Sequence, residues 1–384
     1  MGYNHRIGFL DFLRGFSLFG ILVVNLPYFA KPMYLVGAKE ENSQLLDFVA
    51  TWIVAGFFEF KFYLLFSFLF GFAFFLQMQT GSNASYFRRI FALLVIGILH
   101  GIFLFLGDIL FSYGVLGILL WFVRNRDSRW LLKFSFFCLV LALIFRSLFL
   151  FWGDEYKAQY LADLPGLIEE SRKAYLGGFW ESSLQRAKDT YLSLPILILY
   201  QWPSALAMFA LGLAAAKSEV FSDLQKTKEL LSKYFIPLFL LGILGNVIYT
   251  ADSRHLLPED WNKLVKFLLL ISEVFGAPAL SFCYVFLLLV YYKNTISVAD
   301  RPWFETMGRL SLSNYLGESL VCAWIFCGWG LGKFDSIGNY ILFLLGPAIW
   351  IGLSALTLAW SRYYSYGPAE WLLRSWTHWK RILS

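Results

Sequence analysis

Charge is scarce in this chain. Only 15% of its 384 residues are Asp, Glu, Lys or Arg, while 59% are hydrophobic and 20% aromatic. An ordinary soluble domain carries about 25% charged residues, so this composition excludes a water-soluble fold. Cysteine is equally sparse. Cys138, Cys283, Cys322 and Cys327 all fall inside apolar runs without metal-ligand spacing, which excludes a disulfide framework and a zinc site. No Walker loop, Rossmann glycine pattern, HExxH or GxSxG elbow stands in a supporting context, and no metal or tightly bound cofactor is expected. The net charge of +6 sits at helix ends and forms no continuous stripe, so nucleic acid is not an expected partner. Low-complexity segments and Ser/Gly-rich linkers are missing too, which predicts a single membrane domain over 1–384.

What the chain has is long apolar runs. They predict an all-α fold: a polytopic integral membrane helical bundle of about ten transmembrane helices plus interfacial helices. The expected spans are roughly 8–29, 60–79, 88–106, 107–124, 130–151, 190–216, 229–250, 264–291, 310–331 and 338–361. Arg6, Arg88, Arg89, Arg124, Arg126, Arg129, Lys217, Lys226, Lys228, Lys293, Arg301, Arg374, Lys380 and Arg381 then fall on one side, and the positive-inside rule puts both termini in the cytoplasm. The first apolar segment contains Asp11 and Arg14, with no small-residue cleavage site after it, so it is expected to remain as a helix. Residues 1–151 form an N-terminal set of helices, 152–189 a polar outer excursion, and 190–384 a C-terminal set ending in a helix on the cytoplasmic surface. The excursion reads as a lid or as a solvated amphipathic cap. Within 31–59, which includes Lys39, Glu40 and Glu41, a short apolar run reads as interfacial or re-entrant, with Glu59 and Lys61 at the outer mouth of the second span.

Polar residues inside spans are the candidates for function, because they cost several kcal/mol unless they face protein or water. In the first helix Asp11, Arg14 and Asn25 share one face, Asn25 about 20° from Arg14 and about 40° from Asp11. The structural alternative is an Asp11–Arg14 pair at i,i+3 near the interface. His5, His255 and His378 sit in loops or at the surface, which leaves His100 as the histidine within a span. Asp108 follows His100 after Gly107 at a tight turn, about a turn and a half away, and can orient the imidazole as a general base or simply cap the next helix. In the ninth span Arg309 opens the helix, and Asn314, Tyr315 and Glu318 follow. Glu318 lies roughly 13 Å beyond Arg309, so it must pair, protonate or meet water, and Arg14 is its expected partner. Glu273 and Arg146 are a further expected buried pair.

The stretches RIGFLDFLRGFSLFGILVVN, FFEFKFYLLFSFLFGF, HGIFLFLGDILFSYGVLG, GRLSLSNYL and YGPAEWLLRSWTH resemble the bacterial YeiB family, whose C-terminal half is a domain of unknown function. That family is similar to the transmembrane acyltransferase superfamily. The resemblance places His100, Gly107, Asp108 and Tyr113 in one motif, and Gly367, Pro368 and Glu370 in another. It implies a bacterial inner-membrane location and acyl-CoA as cosubstrate. Acyltransferase-three enzymes pair the first-span arginine with a histidine eleven residues later, where this chain has Asn25. An amide is no general base, so under this resemblance His100 takes the role or acyl transfer is not the function.

The expected function is acyl transfer from a cytoplasmic donor to an outer-facing hydroxyl or amine. The donor is expected in a pocket of Asp11, Arg14, Arg309, Asn314 and the surface helix, with His100 and Asp108 catalytic. The rival reading is a transporter or lipid carrier using Asp11, Glu273 and Glu318. Expected partners are membrane lipids, a small-molecule, lipid or glycan acceptor, and a second copy of the chain through its apolar faces.

Overall fold

The computed structural model describes residues 7–38, 44–152, 154–254, 256–257, 262–294 and 301–379. His5, Arg6, Lys39, Glu40, Glu41, His255, Lys380 and Arg381 lie outside them. The elements among the described residues are helical throughout. In order they are α1 (Gly8–Ala30), α2 (Leu45–Ile53), α3 (Lys61–Thr80), α4 (Asn83–Phe103), α5 (Leu110–Phe122), α6 (Ser128–Trp152), α7 (Asp154–Tyr175), α8 (Phe179–Ile196), α9 (Trp202–Lys217), α10 (Leu224–Ser253), α11 (Lys263–Asn294), α12 (Arg301–Arg309), α13 (Ser311–Phe326), α14 (Asn339–Ser361) and α15 (Pro368–His378). A short 3₁₀ turn, Met33–Leu35, follows α1.

Among the described residues, eight helical runs are long and apolar enough to cross a bilayer. Two of the ten expected spans are shorter. Helix α5 has 13 residues and α13 has 16, about 20 and 24 Å against a hydrocarbon core of about 30 Å. The polypeptide accounts for both. Residues 104–109 leave the helix in a buried turn before α5 begins, and Leu310 breaks the chain between α12 and α13.

Two π turns, Val54–Phe58 and Leu197–Gln201, interrupt otherwise continuous helix. The first runs on from α2 and ends at Phe58; a turn at Glu59 and Phe60, whose φ is 66°, then bends the chain into α3. The second joins α8 to α9 just after Pro195, whose missing N–H removes one rung of the ladder.

Transfer of apolar groups from water does not drive helices together in lipid, so close contact must. Helix α1 crosses α12 where Gly15 meets the Phe304 carbonyl and Gly308 meets the Asp11 carbonyl, and a Cβ on either glycine would collide with backbone. Helix α3 crosses α9 in the same way at Gly71 and Gly212. Aromatic rings fill the rest: Phe70 stacks on Phe209 with centroids 4.7 Å apart, and Phe29 on Phe105 at 4.3 Å. Outward faces stay greasy, with Phe136, Leu240 and Leu356 all exposed, as a lipid-facing surface requires.

In the excursion after α6, Glu169, Glu170, Arg172 and Lys173 present an exposed charged face. The excursion is the helical pair α7–α8, and α8 turns a polar face inward: Ser182, Ser183, Gln185, Arg186 and Asp189 are buried. Arg186 donates to the Phe103 carbonyl at 2.8 Å and Thr190 to the Gly101 carbonyl at 3.1 Å. Those are the free carbonyls that end α4, and a helix end buried in lipid needs such donors.

Candidate functional site

The end of α4 and the start of α5 bring His100 and Asp108 together. His100 Nδ1 lies 2.9 Å from Asp108 Oδ1, and Asp108 Oδ2 accepts the Phe111 backbone N–H at 2.7 Å. The carboxylate therefore caps α5 and holds the imidazole at once, so orienting and capping were never alternatives. Its charge is favoured at the positive end of the α5 dipole. An ionised Asp108 takes the proton of Nδ1 as donor, which leaves Nε2 as the acceptor. At Nε2, 2.8 Å away, stands the Ser319 hydroxyl. Asp108, His100 and Ser319 thus form a hydrogen-bonded relay, and all three are buried. Ser319 Oγ has a second acceptor in the Tyr315 carbonyl at 3.1 Å.

Tyr315 links this relay to a cavity of about 610 Å³. Its ring centroid is 4.9 Å from that of His100, and it lines the cavity with Tyr113, Ile109 and Leu110. The floor is apolar, built by Phe66, Leu69, Phe70, Ala73 and Leu93. The mouth, at the end of the bundle where α1 begins, carries Arg14, Arg89, Arg309 and Arg374. Among the described lining residues Glu370 is the one carboxylate. It is already engaged, accepting from the Leu312 and Ser313 N–H groups at 2.7 and 3.1 Å and from the Ser313 hydroxyl. Arg309 Nε is buried there without a hydrogen-bond partner.

Several expectations are corrected. Arg14 does not reach Glu318: it bonds Asp11 at 2.8 Å, a neighbour one turn back on its own helix. Glu318 Oε1 is buried with no hydrogen-bond partner. Asp11 and Asn314 do not line the cavity. Asn314 instead ties helices together, donating to the Met307 and Leu310 carbonyls and accepting from Thr357 at 2.5 Å. Asn25 lines neither this cavity nor a smaller one at the other end, so the polar face of α1 is not one site. Tyr113 bonds Ser67 at 2.8 Å and the Tyr63 carbonyl at 3.1 Å. His378 reaches the cavity lining from α15.

Glu59 and Lys61 belong elsewhere. Glu59 accepts from Tyr249 and Arg254 and lines the smaller cavity, while fully buried Lys61 donates to the Ala55 carbonyl at 2.8 Å. The expected Arg146–Glu273 pair forms at 2.6 Å, and Tyr200 donates to the same carboxylate. Ser319 and Arg89 were missed by sequence reasoning. Arg89, counted in the sequence only toward the positive side, lies six residues into α4, because the helix starts at Asn83 and not near 88.

Residues 215–380 match the family model described as a protein of unknown function (DUF418). The uncharacterized protein YxaH of Bacillus subtilis (strain 168) is 32% identical over 401 residues, covering 98% of this chain and 95% of that protein. The chain belongs to the YeiB-like DUF418 family. The uncharacterized protein YeiB of Escherichia coli (strain K12) is 28% identical over 377 residues, covering 96% of this chain and 95% of its own. No solved structure matches. In this DUF418 chain the matched region contributes Arg309, Tyr315, Ser319 and Glu370 to the site. Arg14, Arg89, His100 and Asp108 come from helices before it, so the relay and the cavity both need the two halves together.

Proposed function

We propose that this protein is a membrane-embedded acyltransferase of a bacterial inner membrane, taking its acyl group from a cytoplasmic anionic donor such as acyl-CoA. The observation that carries the reading is the Asp108–His100–Ser319 relay set behind an apolar cavity whose mouth holds four arginines. Such a cavity suits an amphiphile: guanidinium groups hold phosphate oxygens, and the apolar floor takes the acyl chain. The positive-inside rule assigns this mouth to the cytoplasm.

The chemistry balances without a cofactor. When the Ser319 hydroxyl turns from Nε2 to the Tyr315 carbonyl, the imidazole lone pair is free. An acceptor O–H or N–H then gives its proton to Nε2 as its lone pair attacks the thioester carbonyl. The C–S bond breaks, and the proton passes from His100 to the departing thiolate. Asp108 stabilises the imidazolium in between. Ser319 is a stopper on the base in this scheme, not the nucleophile.

The test is binding of an acyl-CoA panel to the purified protein by thermal shift, since a ligand that binds only the folded state raises its stability. A saturable rise, lost in Arg309→Gln and Arg14→Ala but kept in His100→Ala, is the expected result. No rise with any donor, in protein shown to be folded, would move the reading to a transporter or lipid carrier, for which buried Glu318 is the observation in favour.

A further inference from the structure

The opposite end of the bundle, where α1 finishes, holds a second cavity of about 280 Å³, near the lower end of the roughly 300–1,000 Å³ usual for small-ligand sites. Its walls are apolar, with Val23, Leu35, Phe48, Val54, Leu342 and Phe343. Its polar atoms are mostly donors. The Trp52 indole N–H and Arg254 Nε are both buried without a hydrogen-bond partner. The Arg254 side chain is only 10% exposed, and its other end is held by Glu59. Lys31, 8% exposed, also lines the cavity, 3.0 Å from the Asn339 amide oxygen. Glu59 is the one carboxylate among the described lining residues, against two cations.

An unmet N–H buried in protein carries an uncompensated desolvation penalty, larger for a charged group. Two of them on residues that line one apolar-walled cavity are explained by an acceptor that arrives from outside. We infer that this cavity binds an oxyanion, a carboxylate or a phosphate monoester, carried on a short apolar body. The oxyanion takes the hydrogens of Arg254 Nε and Trp52 Nε1 in the field of Lys31, and the apolar body lies against Val23, Phe48 and Phe343. An uncharged oxygen also accepts an N–H, but a charged acceptor beside a guanidinium is held more strongly. The site shares no lining residue with the arginine cavity. It therefore stands whether or not acyl transfer is the activity.

The experiment uses the full chain in zwitterionic lipid nanodiscs, titrated with octanoate, dihexanoyl phosphatidic acid, inorganic phosphate and octanol, with thermal stability as the readout. Octanoate or dihexanoyl phosphatidic acid should stabilise the protein saturably, with apparent affinity falling at least tenfold in both Trp52→Phe and Arg254→Gln and holding in Arg309→Gln. Trp52→Phe keeps the ring and removes only the N–H, so it decides the matter if Arg254→Gln folds poorly. Full response to inorganic phosphate alone would point to a free anion, and response to the amphiphiles alone to a lipid source. Either supports the site. A response to octanol equal to that to octanoate, unchanged affinity in Trp52→Phe, or no response to any anion would overturn it.

Discussion

Asp108 spends one oxygen on the α5 backbone and the other on His100, so its substitution separates two roles by chemistry. Asp108→Asn keeps a cap, because an amide oxygen still accepts the Phe111 N–H. It cannot, however, both cap and leave the imidazole with Nε2 free. The expected result is a drop in turnover of about 10²–10⁴-fold with acyl-CoA binding unchanged, the loss typical of a removed or misdirected general base. Ser319→Ala should retain turnover, since it removes the stopper and not the base. Steady-state kinetics with a matched donor and acceptor check both, and an inactive Ser319→Ala would instead make Ser319 the nucleophile. His100 and Asp108 could be paired from the sequence because they flank one turn. Ser319 could not, because it arrives from a helix 219 residues further on. The same locality undid the Arg14–Glu318 expectation. A carboxylate three residues back on the same helix wins over one on another helix, since its position is set by the backbone and costs no further ordering.

At the scale of elements, α15 is more than an interfacial anchor. Its first-turn Glu370 fills the role of a cap for α13, receiving two backbone N–H groups that a helix start leaves unmet. Ala369 N–H returns the bond to Ser313 Oγ at 3.0 Å, so the two helix starts hold each other. Arg88 adds a bond to the Thr377 carbonyl at 2.8 Å from α4. Glu370→Ala should cost about 0.5–2 kcal/mol, the range for a lost helix cap, and loosen α15 with Arg374 on it. Thermal unfolding should show the first, and weaker acyl-CoA binding than in an Arg374→Ala control with α15 still docked should show the second. The sequence displayed this helix clearly through Gly367, Pro368 and alternating tryptophans and cations. It did not show what Glu370 touches, because the partner backbone lies 57 residues away. Likewise the apolar run over 107–124 gave no sign that α5 is short. Hydropathy records which residues tolerate lipid, and a buried turn tolerates it as well as a helix does.

For the whole molecule, the direction of each helix follows from the first: α1, α4, α6, α10 and α13 run one way, and α3, α5, α9, α11 and α14 the other. In the proposed topology ten traverses, two of them short, put the start of α1 and the end of α14 on the same side. Reporter fusions at the N-terminus and after α15 should therefore respond alike, and fusions in the α6–α8 region oppositely. Unlike signals from the two ends would break the proposed topology. The all-helical membrane bundle and most of its long apolar runs were legible, since they depend on composition over many residues. The two cavities were not. Each is lined from helices scattered along the chain, and only the closed bundle shows which arginines share a space.

The π turn at Leu197–Gln201 sets a rotational phase. One added residue in a helix advances every later side chain by about 100°. Helix α8 can therefore aim Arg186 at the end of α4 while α9, in the same unbroken rod, aims Gly212 at the Phe68 carbonyl. Without the extra residue one of these two aims would miss. A single-residue deletion within 197–201 is thus a change of angle rather than of length: it would turn the face that meets α3 toward lipid and present a bulkier one in its place.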